Sequence, residues 1–253
     1  KPDGTFPLLG DTFVKDVPIA SLWTDDPGYQ YAVSAGARGV APQKTNVVFP
    51  DAGYAIFRDS WEKKEKGTYI HFTASYHSKS HKYGYSSYAH NTLLVDGEGL
   101  PTSDGKFEST YIKDYRLDEH HPRVTAVNNR YEGVSHERTL AYDKSAKRVS
   151  IRDAIQGKAR HHYTLLWNLA PDITPVRNEK SGTIDLYRGN DHVLSIRISA
   201  TAQLAVRFEK GAKQPMLGWR LGRSNGGGTP TYVIVVEAEG KEVDIATEFQ
   251  IVD

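Results

Sequence analysis

The sequence predicts a mainly β chain, an antiparallel β-sandwich of stacked sheets preceded by the tail of a helical region. Three observations carry this expectation. From Val47 onward, short segments alternate apolar and polar residues with period 2, as strands with one buried face do. Turn signals separate those segments. No amphipathic helical run lies between them, which favours antiparallel sheets packed as a sandwich over a strand–helix–strand arrangement.

The elements follow in chain order. Lys1–Asp11 is a loop with two Pro and two Gly. Asp16-Val17-Pro18 offers a helix start, with Ile19, Leu22 and Trp23 as its apolar side. Asp26-Pro27-Gly28 breaks that helix, and Tyr29–Ala37 reads as a second short one ending at Gly36 or Gly39. In Tyr69–Ser75, Ile70, Phe72 and Ala74 alternate with Tyr69, His71 and Thr73. In Lys147–Ile155, Val149, Ile151 and Asp153 alternate with Arg148, Ser150 and Arg152. His161–Leu169, Val193–Ile198, Gln203–Phe208, Tyr232–Glu237 and Val243–Ile251 complete the strand candidates. Gln156-Gly157, Arg188-Gly189-Asn190-Asp191 and Asn225-Gly226-Gly227-Gly228 are the turn signals.

Composition narrows the function. At 253 residues the chain holds one large domain or two small ones. Its net charge of +1 gives no basic excess for neutralising phosphates, so nucleic acid is not an expected partner. The absence of cysteine removes disulfides, thiolate nucleophiles and zinc–thiolate sites. The longest apolar run, Thr231–Val236, is far too short to span a bilayer as a helix.

Histidine is the informative residue. His71, His77, His81 and His90 fall within twenty residues, and Tyr76–Asn91 adds Tyr76, Tyr83, Tyr85, Tyr88, Lys79 and Lys82. Histidine and tyrosine suit proton transfer near neutral pH, and histidine also binds zinc; the alternative is a polar aromatic loop capping a sheet. Asp96-Gly97-Glu98-Gly99 reads either as a carboxylate pair at a strand end or, by turn chemistry, as a Gly-supported turn. His120-His121 and His161-His162 diverge in extended chain, so one metal cannot easily take both members of a pair. Arg58, Arg138 and Arg152 could grip anionic groups through a planar fork, or be ion-paired on their strands. The four tryptophans could stack on sugar rings or serve as buried anchors.

Phe49-Pro50-Asp51-Ala52-Gly53-Tyr54, Arg58-Asp59, His71-Phe72, Ser80-His81-Lys82, Ala89-His90-Asn91-Thr92 and Val95-Asp96-Gly97 together resemble the heparinase II/III family of polysaccharide lyases. His136-Glu137-Arg138-Thr139, Ile151-Arg152-Asp153 and the run from His162 through Trp167-Asn168-Leu169-Ala170-Pro171 resemble later strands of that family. Pro2-Asp3-Gly4 and Leu9-Gly10-Asp11 resemble the end of its helical domain. The resemblance implies residues 1–46 as the end of an (α/α) toroid and linker, and residues 47–253 as the C-terminal β-sandwich. It implies β-elimination on a uronate-containing polysaccharide, glycosaminoglycan or alginate-like, at a cleft between the two domains. The alternative is a non-catalytic carbohydrate-binding or structural sandwich.

By the same resemblance, His81 matches the catalytic histidine and His90 a zinc ligand. Tyr76, Lys82 and Arg58 are the expected substrate-binding side chains. The implied cofactor is zinc, and the partners are an acidic polysaccharide and the protein's own N-terminal toroid. The implied location is the bacterial periplasm or the medium. The sequence departs from the family in two places. After Ser80-His81-Lys82 it passes straight to Tyr83, where the family carries a second histidine, an aspartate and about one hairpin. Nearly the whole toroid is also absent, so the expectation is that the sandwich alone is inactive.

Overall fold

The computed structural model describes residues 25–34, 36–62, 67–74, 83–101, 104–221 and 228–252. The first helix expected from Asp16 lies outside them. A seven-residue helix, α1 (Pro27–Val33), opens the described chain. Asp26 and Pro27 start this helix rather than merely ending another. The Asp26 side chain accepts from Tyr29 N at 2.6 Å, and proline occupies the first turn, where its missing N–H costs nothing.

Among the described residues, the elements after α1 are strands and short 3-10 turns joined by turns and loops, as the period-2 pattern implies. β1 (Asn46–Phe49), β2 (Tyr54–Arg58) and β3 (Tyr69–Thr73) form an antiparallel three-stranded sheet in that order. The second sheet draws on β4 (Leu93–Val95), β5 (Thr110–Arg116), β6 (Arg123–Asn128), β7 (Val134–Asp143), β8 (Arg148–Asn168), β9 (Ile173–Asn178), β10 (Thr183–Arg188), β11 (Asp191–Ala200) and β12 (Leu204–Lys210). Two small ribbons follow, β13 (Ala212–Lys213) with β14 (Met216–Leu217), and β15 (Trp219–Leu221) with β16 (Gly228–Pro230). The last strand, β17 (Tyr232–Ile251), enters the middle of the large sheet, whose order is β5-β6-β7-β8-β17-β11-β10-β9. β4 pairs with β8 and β12 with β17, all antiparallel.

The two sheets stack face to face. Ala55, Phe57 and Phe72 of the small sheet share one buried cluster with Val124, Leu140, Tyr142 and Ile155 of the large one. The expected antiparallel sandwich is therefore the observed fold. A second buried cluster lies on the opposite face of the large sheet, where Leu217 covers Leu94, Leu166, Val233 and Val235. Buried on both faces, the stretches around Leu165 and Val235 read as unbroken apolar runs rather than alternations.

Two expected strand pairs merge into single long strands. Gln156-Gly157 is not a turn; β8 runs through it from Arg148 to Asn168. A Cβ on Gly157 would lie 2.7 Å from both Ala159 O and Tyr163 Oη, so the glycine marks close backbone approach. β17 likewise passes Gly240 with a register shift between Gly240 and Glu242. Arg188–Asp191 does turn, joining β10 to β11.

Candidate functional site

Alternation along β7 sends His136, Arg138, Leu140 and Tyr142 to the face that meets the small sheet. The register of β8 sets Ile155 opposite His136, Asp153 opposite Arg138 and Ile151 opposite Leu140. Three polar side chains thus interrupt an apolar surface. Asp153 is fully buried, and its Oδ1 accepts from His136 Nε2 and Arg138 Nε, each at 2.6 Å. Burial pushes this carboxyl up. The Arg138 charge and the His136 hydrogen bond outweigh burial and hold it below the ordinary carboxylate range. Ionised, Asp153 only accepts, so the proton between it and His136 sits on Nε2.

The cluster also fixes the neighbouring chain. Arg138 Nη1 donates to the Asn91 carbonyl at 2.6 Å, and the guanidinium lies 5.1 Å from the centre of the Trp167 ring. Asn168 N donates to Asn91 Oδ1 at 2.7 Å, and Asn168 Nδ2 donates to the His90 carbonyl at 3.1 Å. The His90–Thr92 segment is therefore held by the end of β8 and by Arg138 together.

These groups border an inter-sheet cavity of about 650 Å³. Its polar end includes His90, Asn91, Arg130, His136, Arg138 and Asn168; Val149, Ile151, Phe249 and Ile251 make an apolar end. The small sheet contributes Ile70, His71 and Phe72. Arg130 is held at Nε by Asp104 at 2.9 Å and at Nη2 by the Pro101 carbonyl.

Of the five site residues expected from sequence, His81, Tyr76 and Lys82 lie outside the described residues. The chain enters that segment from Ala74, a cavity-lining residue. His90 lines the cavity, is exposed, and has Nε2 3.2 Å from the Gly84 carbonyl. Arg58 stands apart from the cavity lining. It is 8% exposed and stacked on Trp61 at 3.7 Å, with Tyr69 at 5.3 Å, and burial lowers its pKa. The described residues do not fit the implied zinc. None of their histidines and carboxylates form a group of three able to hold a metal, and His90 Nε2 already faces a carbonyl.

Trp23 lies outside the described residues, and the remaining sequence candidates within them resolve into structural roles. Asp96 and Gly97 form a turn with φ of 52° and 78°. Asp96 Oδ2 accepts from His161 Nδ1 at 2.7 Å and its Oδ1 from His162 N at 2.9 Å; the His161 bond leads in holding its pKa down. His162 turns instead to Glu237, at 3.8 Å, so the adjacent histidines do diverge. Arg152 is paired with Asp244 at 2.7 Å. Trp167 is buried edge-on against Phe249, and Trp219 Nε1 donates to the Ala212 carbonyl at 2.7 Å. The His136–Asp153–Arg138 cluster was not singled out from sequence. Its signal was present as a charged residue between Ile151 and Ile155 in an otherwise apolar row.

The family profile described as "Heparinase II/III-like, C-terminal" matches residues 44–251. The solved heparan sulfate lyase HepC from Pedobacter heparinus superposes with a TM-score of 0.75 at 16% identity, covering 100% of this chain and 45% of that one. The structure of the heparinase III BT4657 gene product gives a TM-score of 0.70 at 15% identity over 92% of this chain and 40% of its own. A further heparinase III structure gives 0.67 at 15% identity, over 92% and 41%. This chain thus spans less than half the length of the proteins it superposes on, and at such identities the likeness is one of fold. No curated protein sequence matches it.

Proposed function

The chain belongs to the heparinase II/III-like C-terminal family, and from that premise we propose that it is the β-sandwich portion of a polysaccharide lyase acting on a uronate-containing polymer by β-elimination. The observation that carries this reading is the family match across the sandwich. The cavity supports it, because its lining includes His90 and Asn91 from the His/Tyr-rich segment.

In the proposed reaction, a base removes the C5 proton of the uronate, which is acidic only when its carboxylate is neutralised. The C4–O bond then breaks, the glycosidic oxygen is protonated, and a C4=C5 double bond remains. His81 is the proposed base or its close partner, since imidazole exchanges protons near neutral pH. Tyr76 and Lys82 are proposed to hold the sugar, whereas Arg58, buried against Trp61 away from the cavity, is left with a packing role. The preceding toroid supplies the facing groups, because the acid, the base and the carboxylate neutraliser must surround one ring. A polymer too large to enter the cell places such an enzyme in the periplasm or the medium.

The test uses the protein with its toroid and follows the absorbance of the conjugated double bond on a panel of uronate polymers. His81→Ala lowers turnover by roughly 10²–10⁴ with the fold unchanged, the range for general acid–base groups. Near-normal turnover removes His81 from the mechanism. No turnover of any polymer by the unaltered protein returns the reading to a non-catalytic sandwich.

A further inference from the structure

The inter-sheet cavity carries polar atoms that the protein leaves unsatisfied. Arg138 Nη2, Trp167 Nε1 and Asn168 Oδ1 belong to cavity-lining residues, and each is buried without a hydrogen-bond partner among the described residues. Buried polar groups are nearly always paired, so unsatisfied atoms on three residues that line one cavity mark a place where something polar binds. The three are neighbours. Arg138 stacks over Trp167, and Arg138 Nη1 and Asn168 N both bond to Asn91.

The wall is also two-faced. Arg138 is followed on the inner face of β7 by Leu140, and Asp153 on β8 is followed toward the chain start by Ile151 and Val149. Polar and apolar ends therefore share one chamber of about 650 Å³, within the range of small-ligand sites and larger than a few waters need. The Arg138 charge is already partly balanced by Asp153, which suits a ligand of one negative charge better than a dianion.

The geometry points to a binding site for a single sugar-acid unit, its carboxylate on Arg138 Nη2, its hydroxyls on Trp167 Nε1 and Asn168 Oδ1, and its less polar face on the apolar end. The choice of a uronate as the acid rests on the lyase reading. The site is a pocket within the sandwich itself, built from β7 and β8 without a contribution from the toroid.

The test is calorimetric titration of the 253-residue chain with sodium glucuronate, with glucose as the uncharged ring and sodium acetate as the bare carboxylate. Glucuronate saturates one site on the order of 1 mM, and glucose and acetate bind at least about tenfold more weakly, since a site built for a polar group rejects ligands lacking it. Arg138→Lys replaces a fork by a point charge and weakens glucuronate about tenfold. Trp167→Phe keeps an aromatic side chain but loses the indole N–H along with the rest of the fused five-membered ring, and weakens glucuronate about 3–10-fold, so the outcome survives if Arg138→Lys fails to fold. The site is overturned by absence of saturable glucuronate binding, by equal binding of glucose or acetate, or by undiminished binding in folded Trp167→Phe. Failure here leaves the lyase reading intact if polymer turnover depends on His81. Glucuronate binding without any polymer turnover by the longer protein refutes the lyase reading alone.

Discussion

Replacing Asp153 by alanine tests whether the buried cluster holds the two sheets' interior together. The carboxylate is fully buried, and His136 and Arg138 side chains are only 5% and 13% exposed. Removing it strands two donors, one of them permanently charged, without the acceptor they share. Breaking a buried pair from one side costs about 3–5 kcal/mol, roughly a fifth or more of a typical domain's stability. Asp153→Asn retains an acceptor but makes both bonds neutral–acceptor bonds, a loss of about 2 kcal/mol. Replacing His136, Arg138 and Asp153 together by leucine, methionine and leucine recovers most of the loss, because no charge is left unpaired. The assay is urea unfolding, read as a midpoint at constant slope. With a slope of about 2–3 kcal/mol per molar, Asp153→Ala moves the midpoint by about 1–2 M. A shift equivalent to less than about 1 kcal/mol refutes the reasoning, as does a triple variant no more stable than Asp153→Ala.

Other outcomes follow from the same structure. Because the Asp153 pKa is lowered on folding, its contribution is complete above the unfolded carboxylate value of about 3.9 and is lost as pH falls below it; Asp153→Asn flattens that acid limb of the stability profile. Gly218→Ala costs at least about 2 kcal/mol in thermal melts, since φ is +68° and a Cβ would sit 2.5 Å from Thr231 O. Gly182→Ala, with φ of +66° and no atom within 4 Å, costs only the backbone strain of about 1 kcal/mol. Leu165→Ala, at the fully buried junction of β4, β8 and β17, costs about 2–5 kcal/mol by urea unfolding.

The sequence announces half-buried strands well and fully buried or polar edge strands poorly. The alternation of Val149, Ile151 and Asp153 is visible because one face of β8 meets the core and the other meets solvent. β5 escapes notice because it is a sheet edge, with Tyr111 and Tyr115 more than 40% exposed and little apolar contrast to read. Gly157 reads as a turn because glycine punctuates locally, whereas the strand continues because β17, distant in sequence, pairs on both sides of it. The candidate site follows the same division. His90 and Asn91 stand out in a compact motif, but the partnership of His136, Arg138 and Asp153 depends on the β7–β8 register. Arg58 and Arg138 look alike in sequence; stacking on Trp61 separates the first from a cavity role, and an ion pair gives the second its place.

The order of synthesis matters for a sheet whose middle strand comes last. β8 pairs with β17 from Asn168 opposite Val233 to Arg148 opposite Gln250, and β11 and β12 also wait for β17 as their neighbour. At about 5–20 residues per second on the ribosome, the final pairing lags the synthesis of β8 by on the order of 5–20 s. During that interval Leu165, Leu166 and Trp167 have no strand to pair with on the β17 side and form an apolar edge open to other chains. Loops can close locally meanwhile, but the core cannot. The yield of folded protein is therefore governed by how long this edge is shielded during translation, independently of how stable the finished sandwich is.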